Sequence, residues 1–251
     1  MAPIGPRKIR NPLAPGWEAV RANLIPAFLI QTVMLALFAS YYVSPEVAET
    51  LNRLAAYKAT HGLVFVVTAT VLAASILPEF FLVLLFQKGR VRAQNFRNIV
   101  FTAPLWGFDG ITVDFLYRSL AALLGDRATL PVVAAKICID QFGYNVFFAA
   151  PYGVLAYQWK NSGFGSGELR RNLTWAFYRD KIVPTLFTTW AVWIPLMAII
   201  YSLPLALQFP LFSLALTFWV LLLTYMTNRF AGKNGRPAAV VPGEIAPGLA
   251  R

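Results

Sequence analysis

Six long apolar segments dominate the sequence and leave little choice of fold. They cover residues 22–43, 62–86, 99–124, 131–157, 182–203 and 207–227. Each has at least the length of about 20 residues that a helix needs to cross a bilayer. Because the bilayer interior offers no water to the backbone, segments of this kind fold as helices. The sequence therefore predicts an all-α, polytopic transmembrane helix bundle with about six spans.

The composition agrees with this class and indicates one domain. The chain has 251 residues, of which 58% are hydrophobic and 13% are charged, whereas about a quarter of the residues in soluble domains are charged. Only short polar stretches separate the apolar segments, which favours one transmembrane domain at 22–227. A basic N-terminal tail at 1–21 and a flexible C-terminal tail at 228–251 are expected on either side of it.

The positive charge follows the ends of the predicted spans. The net charge is +11, and Lys and Arg are concentrated in four segments: the two tails, 87–98 and 158–181. The segments 44–61, 125–130 and 204–206 are close to neutral. Six spans place all four basic segments on one side, so both termini are predicted on the positive, cytosolic side. The predicted partner of this charge is the lipid bilayer and not nucleic acid.

Metal and cofactor chemistry find little support in the sequence. Cys138 is the one cysteine and His61 the one histidine, too few for the usual zinc or haem ligand sets. The glycines between 163 and 167 lack the Lys-Ser/Thr that completes a phosphate-binding loop. We therefore expect no metal, no cofactor and no catalytic residue.

Two pairs of opposite charges lie inside neighbouring apolar segments. Asp114 and Arg118 are four residues apart, as are Lys136 and Asp140, so each pair shares one face of its helix. In an antiparallel hairpin the four charges fall in one slab about 6 Å thick. Asp114–Lys136 and Arg118–Asp140 ion pairs are therefore predicted.

Uncharged polar residues continue this group toward the middle of the fourth span. We call the whole set the polar seam: Asp114, Arg118, Lys136, Asp140, Gln141 and Asn145. One interpretation is that the seam lines a pore or contacts a solute, since intramembrane ionisable groups are usually functional. The other is a charge lock that fixes the register of two helices. The sequence leaves both open.

A second polar group lies nearer the basic side and consists of Glu79, Asp109 and Arg97. Arg92 and Arg97 are the expected partners of the two carboxylates. Such pairs could close one end of a cavity, or they could be ordinary contacts with lipid headgroups.

Several small and aromatic residues are predicted to pack helices together. Gly107, Gly110 and Gly143 would let neighbouring helices approach closely. Trp219 is expected as an interface or packing aromatic residue.

The order of several short motifs resembles a known family. Lys136-Ile-Cys-Ile-Asp140-Gln141 is similar to the K-x-x-x-D-Q stretch of the twenty-two-kilodalton peroxisomal membrane protein family, also called the Mpv-seventeen family. The resemblance covers residues 88–227 and further includes Gly107, Gly110, Leu116-Tyr117-Arg118, Trp190, Trp193, Pro195, Tyr201-Ser-Leu-Pro204 and Trp219. It is the resemblance of a remote branch, because Val220 stands where the family has Asn and no proline follows Gln141 at the usual distance.

This resemblance implies a small integral membrane protein with channel-like permeation of small solutes and no enzymatic activity. It implies Lys136, Asp140 and Gln141 as the matching motif positions, with Gly110, Tyr117 and Trp219 as structural members. A homo-oligomer is left open by the sequence. The expected location is the bacterial inner membrane for a prokaryotic chain, and the mitochondrial inner or peroxisomal membrane for a eukaryotic one. Two alternatives stay open: a membrane-embedded lipid-modifying enzyme that uses Asp114, Asp140 or Glu79 as acid or base, and a structural or assembly bundle.

Overall fold

The structure, a computed structural model, describes residues 14–233 and the side chains from 24 to 221, apart from those at 26, 161, 168, 169 and 172. It consists of seven helices with no strand in the described residues. They are α1 (Ala14–Val43), α2 (Pro45–Phe86), α3 (Ala93–Leu124), α4 (Leu130–Cys138, Ile139–Ala149 and Ala150–Asn161), α5 (Ser166–Asn172), α6 (Trp175–Tyr201) and α7 (Leu205–Lys233). The prediction of an all-α fold is confirmed for this part of the chain.

Four helices are long and apolar enough to cross a membrane, namely α2, α3, α4 and α6. Shorter apolar stretches lie within the two outer helices, at Ala27–Val43 and Leu205–Leu221. Large apolar side chains point outward along the bundle; Phe115 is 66% exposed and Phe147 is 82% exposed. A surface of this kind suits lipid better than water. The bundle therefore fits an integral membrane protein, while the count of six spans and the side of the termini stay predictions.

Several helices extend beyond the apolar segments that predicted them. Helix α2 passes through residues 45–61, which lie between the first two predicted spans, and the Ser44 hydroxyl accepts a hydrogen bond from the Val47 N–H at 3.4 Å as its N-terminal cap. Gly62 then kinks α2 with φ 51° and ψ −125°, a conformation that glycine adopts without steric cost. Helix α1 begins inside the predicted tail at Ala14, and α7 continues to Lys233. The remaining tail residues, 1–13 and 234–251, lie outside the described residues.

The core joins α1, α2, α3, α6 and α7. Met34, Val66, Leu196 and Phe209 are fully buried members of it. The Gln31 side-chain amide of α1 donates to the Ala191 and Val192 carbonyls of α6, both at 3.3 Å. This packing holds α2 and α3 in place beside α4 and α6, where the polar side chains are concentrated.

Three short π-helical segments interrupt the α-helices, at Leu72–Ile76, Ile139–Ala149 and Tyr178–Ile182. The longest of them carries Asp140, Gln141 and Asn145. Two side chains of α6 donate to its carbonyls: the Trp190 indole to Gln141 at 2.9 Å and the Tyr178 hydroxyl to Val146 at 2.9 Å. The irregular turn is therefore anchored from the neighbouring helix.

Candidate functional site

Asp114 is 3% exposed and holds two cations. The Lys58 ammonium of α2 lies 2.5 Å from one carboxylate oxygen, and the Arg118 guanidinium, one turn farther along α3, lies 2.8 Å from the other. The Lys58 ammonium also lies 5.1 Å from the centre of the Phe209 ring, a favourable cation–π position. The kink at Gly62 lies one turn after Lys58, so the charged half of α2 reaches the interior of the bundle.

Lys136 and Asp140 occupy a separate position against α6. The Tyr201 hydroxyl donates to the Asp140 carboxylate at 2.8 Å. Lys136 is 1% exposed, and its ammonium lies 5.9 Å from the centre of the Tyr201 ring. In the described part of the chain, Lys136 makes no ion pair and no hydrogen bond.

The predicted ion pairs across the polar seam are not formed. Asp114 pairs with Lys58 instead of Lys136, and Asp140 pairs with Tyr201 instead of Arg118. Lys136 and Asp140 are also not paired with each other; the Asp140 carboxylate contacts the Tyr201 hydroxyl of α6 instead. Thus the seam splits into one group centred on Asp114 and another centred on Tyr201.

The uncharged members of the seam remain buried beside the second group. The Asn145 amide donates to the Gln141 side-chain oxygen at 3.2 Å. Tyr117 of α3 is buried as expected; its hydroxyl contacts the Met197 sulfur at 3.5 Å, and its ring lies 5.3 Å from that of Tyr201. Tyr201 therefore connects α3, α4 and α6 at this level.

The second polar group predicted from the sequence is not formed: the Asn95 and Asn98 amides take the place of the arginines expected beside Glu79. The two Glu79 carboxylate oxygens accept from the Asn95 amide at 2.7 Å and the Asn98 amide at 2.8 Å. Lys160 of α4 donates to the Asn98 side-chain oxygen at 2.8 Å. Arg97 is exposed and does not join this network. The carboxylate is satisfied by α3, and Asn98 links α3 to α4.

Contacts between α3 and α4 continue from this point along the helices. The Tyr152 hydroxyl donates to the Leu105 carbonyl at 3.1 Å, and the hydroxyls of Thr112 and Tyr144 lie 2.7 Å apart. Successive contacts are seven residues apart on α3 and eight on α4, which are about two helical turns. We call this line of side chains the α3–α4 polar track; its members are Asn98, Asp109, Thr112, Tyr144, Tyr152 and Lys160.

Asp109 lies at the middle of α3, between the Leu105 and Thr112 contacts, and not beside Arg92 or Arg97. Its carbonyl accepts from the Thr112 hydroxyl at 2.8 Å. Its carboxylate makes no hydrogen bond and no ion pair with any side chain that the structure describes. Asp109 therefore separates from Glu79, with which it was grouped.

Two of the three predicted packing glycines contact a neighbouring helix. A Cβ at Gly110 would lie 2.5 Å from the Thr70 hydroxyl oxygen, and one at Gly107 would lie 3.3 Å from a Val67 methyl. Both contacts join α3 to α2. A Cβ at Gly143 would meet nothing within 4 Å, so the packing role expected for Gly143 is wrong. Trp219 packs against the core as expected.

The most consequential residues missed from the sequence are Lys58, Lys160 and the amides of α3. Lys58 lies in the segment 44–61 and Lys160 in the segment 158–181. Both segments fall between predicted spans because they contain several charged residues. A polar face on α3 was predictable, because the spacing of Asn95, Asn98 and Thr102 places them on one side of a helix. That face meets Glu79 and Ser75 of α2.

Comparison with known proteins returned no match: no protein-family model, no curated protein and no solved structure matches this chain. Among the side chains that the structure describes, no three His, Cys, Asp or Glu are grouped so that they could hold a metal ion. A function is therefore inferred from the positions and contacts of the polar side chains.

Proposed function

We propose that this protein is a non-enzymatic integral membrane protein with a channel-like role, and that small solutes pass along the α3–α4 polar track. The observation that carries the proposal is the length of this track. From Asn98 to Thr112, the track follows α3 over a rise of about 21 Å. The hydrocarbon core of a bilayer is about 30 Å thick, so the track accompanies α3 across about two thirds of the apolar layer.

The spacing of these groups supports passage better than a purely structural lock. One buried ion pair is enough to fix the register of two helices, and the Lys58–Asp114 pair already does this between α2 and α3. The track adds hydroxyl groups at Thr112, Tyr144 and Tyr152, which can exchange hydrogen bonds with a passing solute or with water. Polar side chains of this kind in a membrane usually face other helices or a hydrated space.

The enzyme alternative is weaker because its three candidate carboxylates are occupied. Asp114 holds two cations, Glu79 accepts from two amides, and Asp140 accepts from Tyr201. A general acid or base needs an oxygen that can reach the substrate proton. A lipid product formed by the native protein and lost in an Asp140→Asn variant would favour the enzyme.

The resemblance to the Mpv-seventeen family supports the same proposal from the sequence. The matching residues Asp140 and Gln141 lie in the π-helical segment of α4, beside the track. The location that we propose is the bacterial inner membrane, or the mitochondrial inner or peroxisomal membrane in a eukaryote. The bilayer and small solutes are the proposed partners.

The proposal is tested by solute flux into liposomes that contain the purified protein. Native protein should admit a small neutral solute such as urea faster than protein-free liposomes do. Tyr144→Phe removes the hydroxyl that meets Thr112 and should change this flux by about twofold or more, since one hydrogen bond is worth roughly 1 kcal/mol. Tyr57→Phe is the matched control, because Tyr57 is exposed on α2. Equal rates for native protein and empty liposomes would contradict the proposal.

A further inference from the structure

Asp109 faces a column of aromatic rings on α4. Leu105 and Thr112 both contact α4 through hydrogen bonds with Tyr152 and Tyr144. Asp109 is four residues after the first and three before the second, so it lies on the same face of α3. On α4 the residue halfway between the two tyrosines is Phe148. The register therefore places the carboxylate at the level of Phe148, between the two tyrosine contacts.

The rings opposite Asp109 form a continuous aromatic surface. The ring centres of Tyr144 and Phe148 are 5.4 Å apart, and those of Phe148 and Tyr152 are 5.6 Å apart with planes only 6° from parallel. Phe108 of α3 closes one side, 5.6 Å from the Tyr152 ring and 6.3 Å from the Phe148 ring. We call Tyr144, Phe148 and Tyr152 the aromatic column.

The charge of Asp109 is not balanced by the neighbouring groups. Its carboxylate has no hydrogen-bond or ion-pair partner among the side chains from 24 to 221 that the structure describes. Asp114 has two cations of its own, and the Lys136 ammonium lies against the Tyr201 ring. A lone charge near the middle of a membrane helix is costly, and a cation brought next to it lowers that cost.

The surroundings of the carboxylate select the kind of cation. A strongly hydrated metal ion needs several oxygen ligands, whereas an alkylammonium ion is attracted by the faces of aromatic rings. A carboxylate opposite three rings provides the charge and the apolar surface that an alkylammonium ion requires.

We propose that Asp109 and the aromatic column form a binding site for a small organic ammonium cation, located halfway along the α3–α4 polar track. This site names the solute class of the permeation role and rests on that proposed function. Hydroxyl groups of Tyr144 and Tyr152 lie at its two ends and can accept hydrogen bonds from a primary ammonium. A quaternary ammonium has no N–H to donate and is held by the carboxylate and the rings alone.

Binding is tested without transport, using tetramethylammonium as the probe and the purified full chain in an uncharged detergent. Tetramethylammonium chloride should raise the midpoint of thermal unfolding more than sodium chloride at the same concentration, because a ligand that binds only the folded state stabilises it. Asp109→Asn should weaken this binding by about tenfold or more, and Asp109→Glu should retain it. Phe148→Leu should weaken it by about threefold or more.

The controls separate this site from a general effect of charge. Asp180→Asn removes an exposed carboxylate that pairs with Arg179 and should leave the binding of tetramethylammonium unchanged. Equal stabilisation by tetramethylammonium and sodium, or unchanged binding in Asp109→Asn, overturns the site. If Asp109→Asn does not fold, the comparison of Phe148→Leu with native protein decides.

Flux then separates the failure of the site from the failure of the proposed function. In liposomes, native protein should carry tetramethylammonium faster than acetate, and Asp109→Asn should lose this preference. Flux of urea with no preference for the cation overturns the site and leaves the permeation role standing. Binding of tetramethylammonium without flux of any solute supports the site and overturns the permeation role.

Discussion

The ion pair of Lys58 and Asp114 fixes helix α2 against helix α3 at the level of single residues. Lys58 keeps 16% of its side chain exposed and Asp114 keeps 5%. In such a setting the loss of one partner leaves a poorly solvated charge, which typically costs about 3–5 kcal/mol. The buried pair of Lys58 and Asp114 is therefore expected to affect the free energy of unfolding more than an exposed ion pair does.

Removal of Asp114 alone should be more harmful than removal of the pair. Asp114→Leu should lower stability by about 3 kcal/mol, and Asp114→Leu combined with Lys58→Leu should recover a large part of that loss. The measurement is the thermal unfolding midpoint in detergent for native protein, both single variants and the double variant.

The exposed pair of Arg53 and Glu49 gives the matched control for this cycle. Their side chains are 77% and 65% exposed, so Arg53→Ala should cost less than about 1 kcal/mol. Strictly additive losses at Lys58 and Asp114 would mean that the two residues do not interact.

Residue spacing predicted the burial of Asp114, Lys136 and Asp140 but not which charges meet. Arg118, placed in the same seam, keeps 58% of its side chain exposed. Asp114 and Lys136 are both buried, as the apolar segments around them required. Their partners depend on which helices face each other, and spacing along one helix does not contain that information. Lys58 could not be recognised because a kink at Gly62 is needed before its half of α2 reaches Asp114.

At the scale of helices, α2 and α3 approach closely at Gly110. A methyl group there would lie 2.5 Å from the buried Thr70 hydroxyl oxygen and 2.6 Å from its methyl carbon. Real Cβ atoms do not approach other atoms so closely, so the two helices would have to separate. Overpacking of this kind typically costs about 1–3 kcal/mol.

Gly110→Ala should therefore lower the thermal midpoint, and Gly143→Ala should not. The alanine at 143 meets nothing within 4 Å and lies inside a helical segment, where alanine is favoured over glycine. Addition of Thr70→Ala to Gly110→Ala should restore part of the loss. An equal effect at the two glycines would contradict the close approach of α2 and α3.

Helix existence was predictable from the apolar segments, while helix ends were not. Leu124 ends α3 where the sequence placed the end, because Gly125 follows with φ 82°. By contrast, α4 continues through Lys160, because this lysine finds a partner in Asn98 instead of water. A partner on another helix lets a charged residue extend a helix, and the sequence of the helix does not reveal it.

At the scale of the molecule, the six-span arrangement predicts opposite sides for successive loops. The loop at 87–92 carries Lys88, Arg90 and Arg92, and the loop at 125–129 carries Asp126 and Arg127. In a background with Cys138→Ser, Arg90→Cys should react with an impermeant thiol reagent added to the cytosolic side. Asp126→Cys should react only from the other side. Reaction of both from one side would remove the six-span arrangement.

Cysteine accessibility along α3 tests directly whether water reaches the α3–α4 polar track. In the Cys138→Ser background, single cysteines replace Leu105, Asp109 and Thr112 on the face toward α4, and Val100, Phe115 and Leu123 on the outward face. A small water-soluble thiol reagent attacks the thiolate, which forms in water and not in lipid. If the track is hydrated, the cysteines at 105, 109 and 112 should react and those at 100 and 115 should be protected. The cysteine at 123, near the helix end, is the accessible reference. Protection of all three track positions, or equal reaction on both faces, would contradict it.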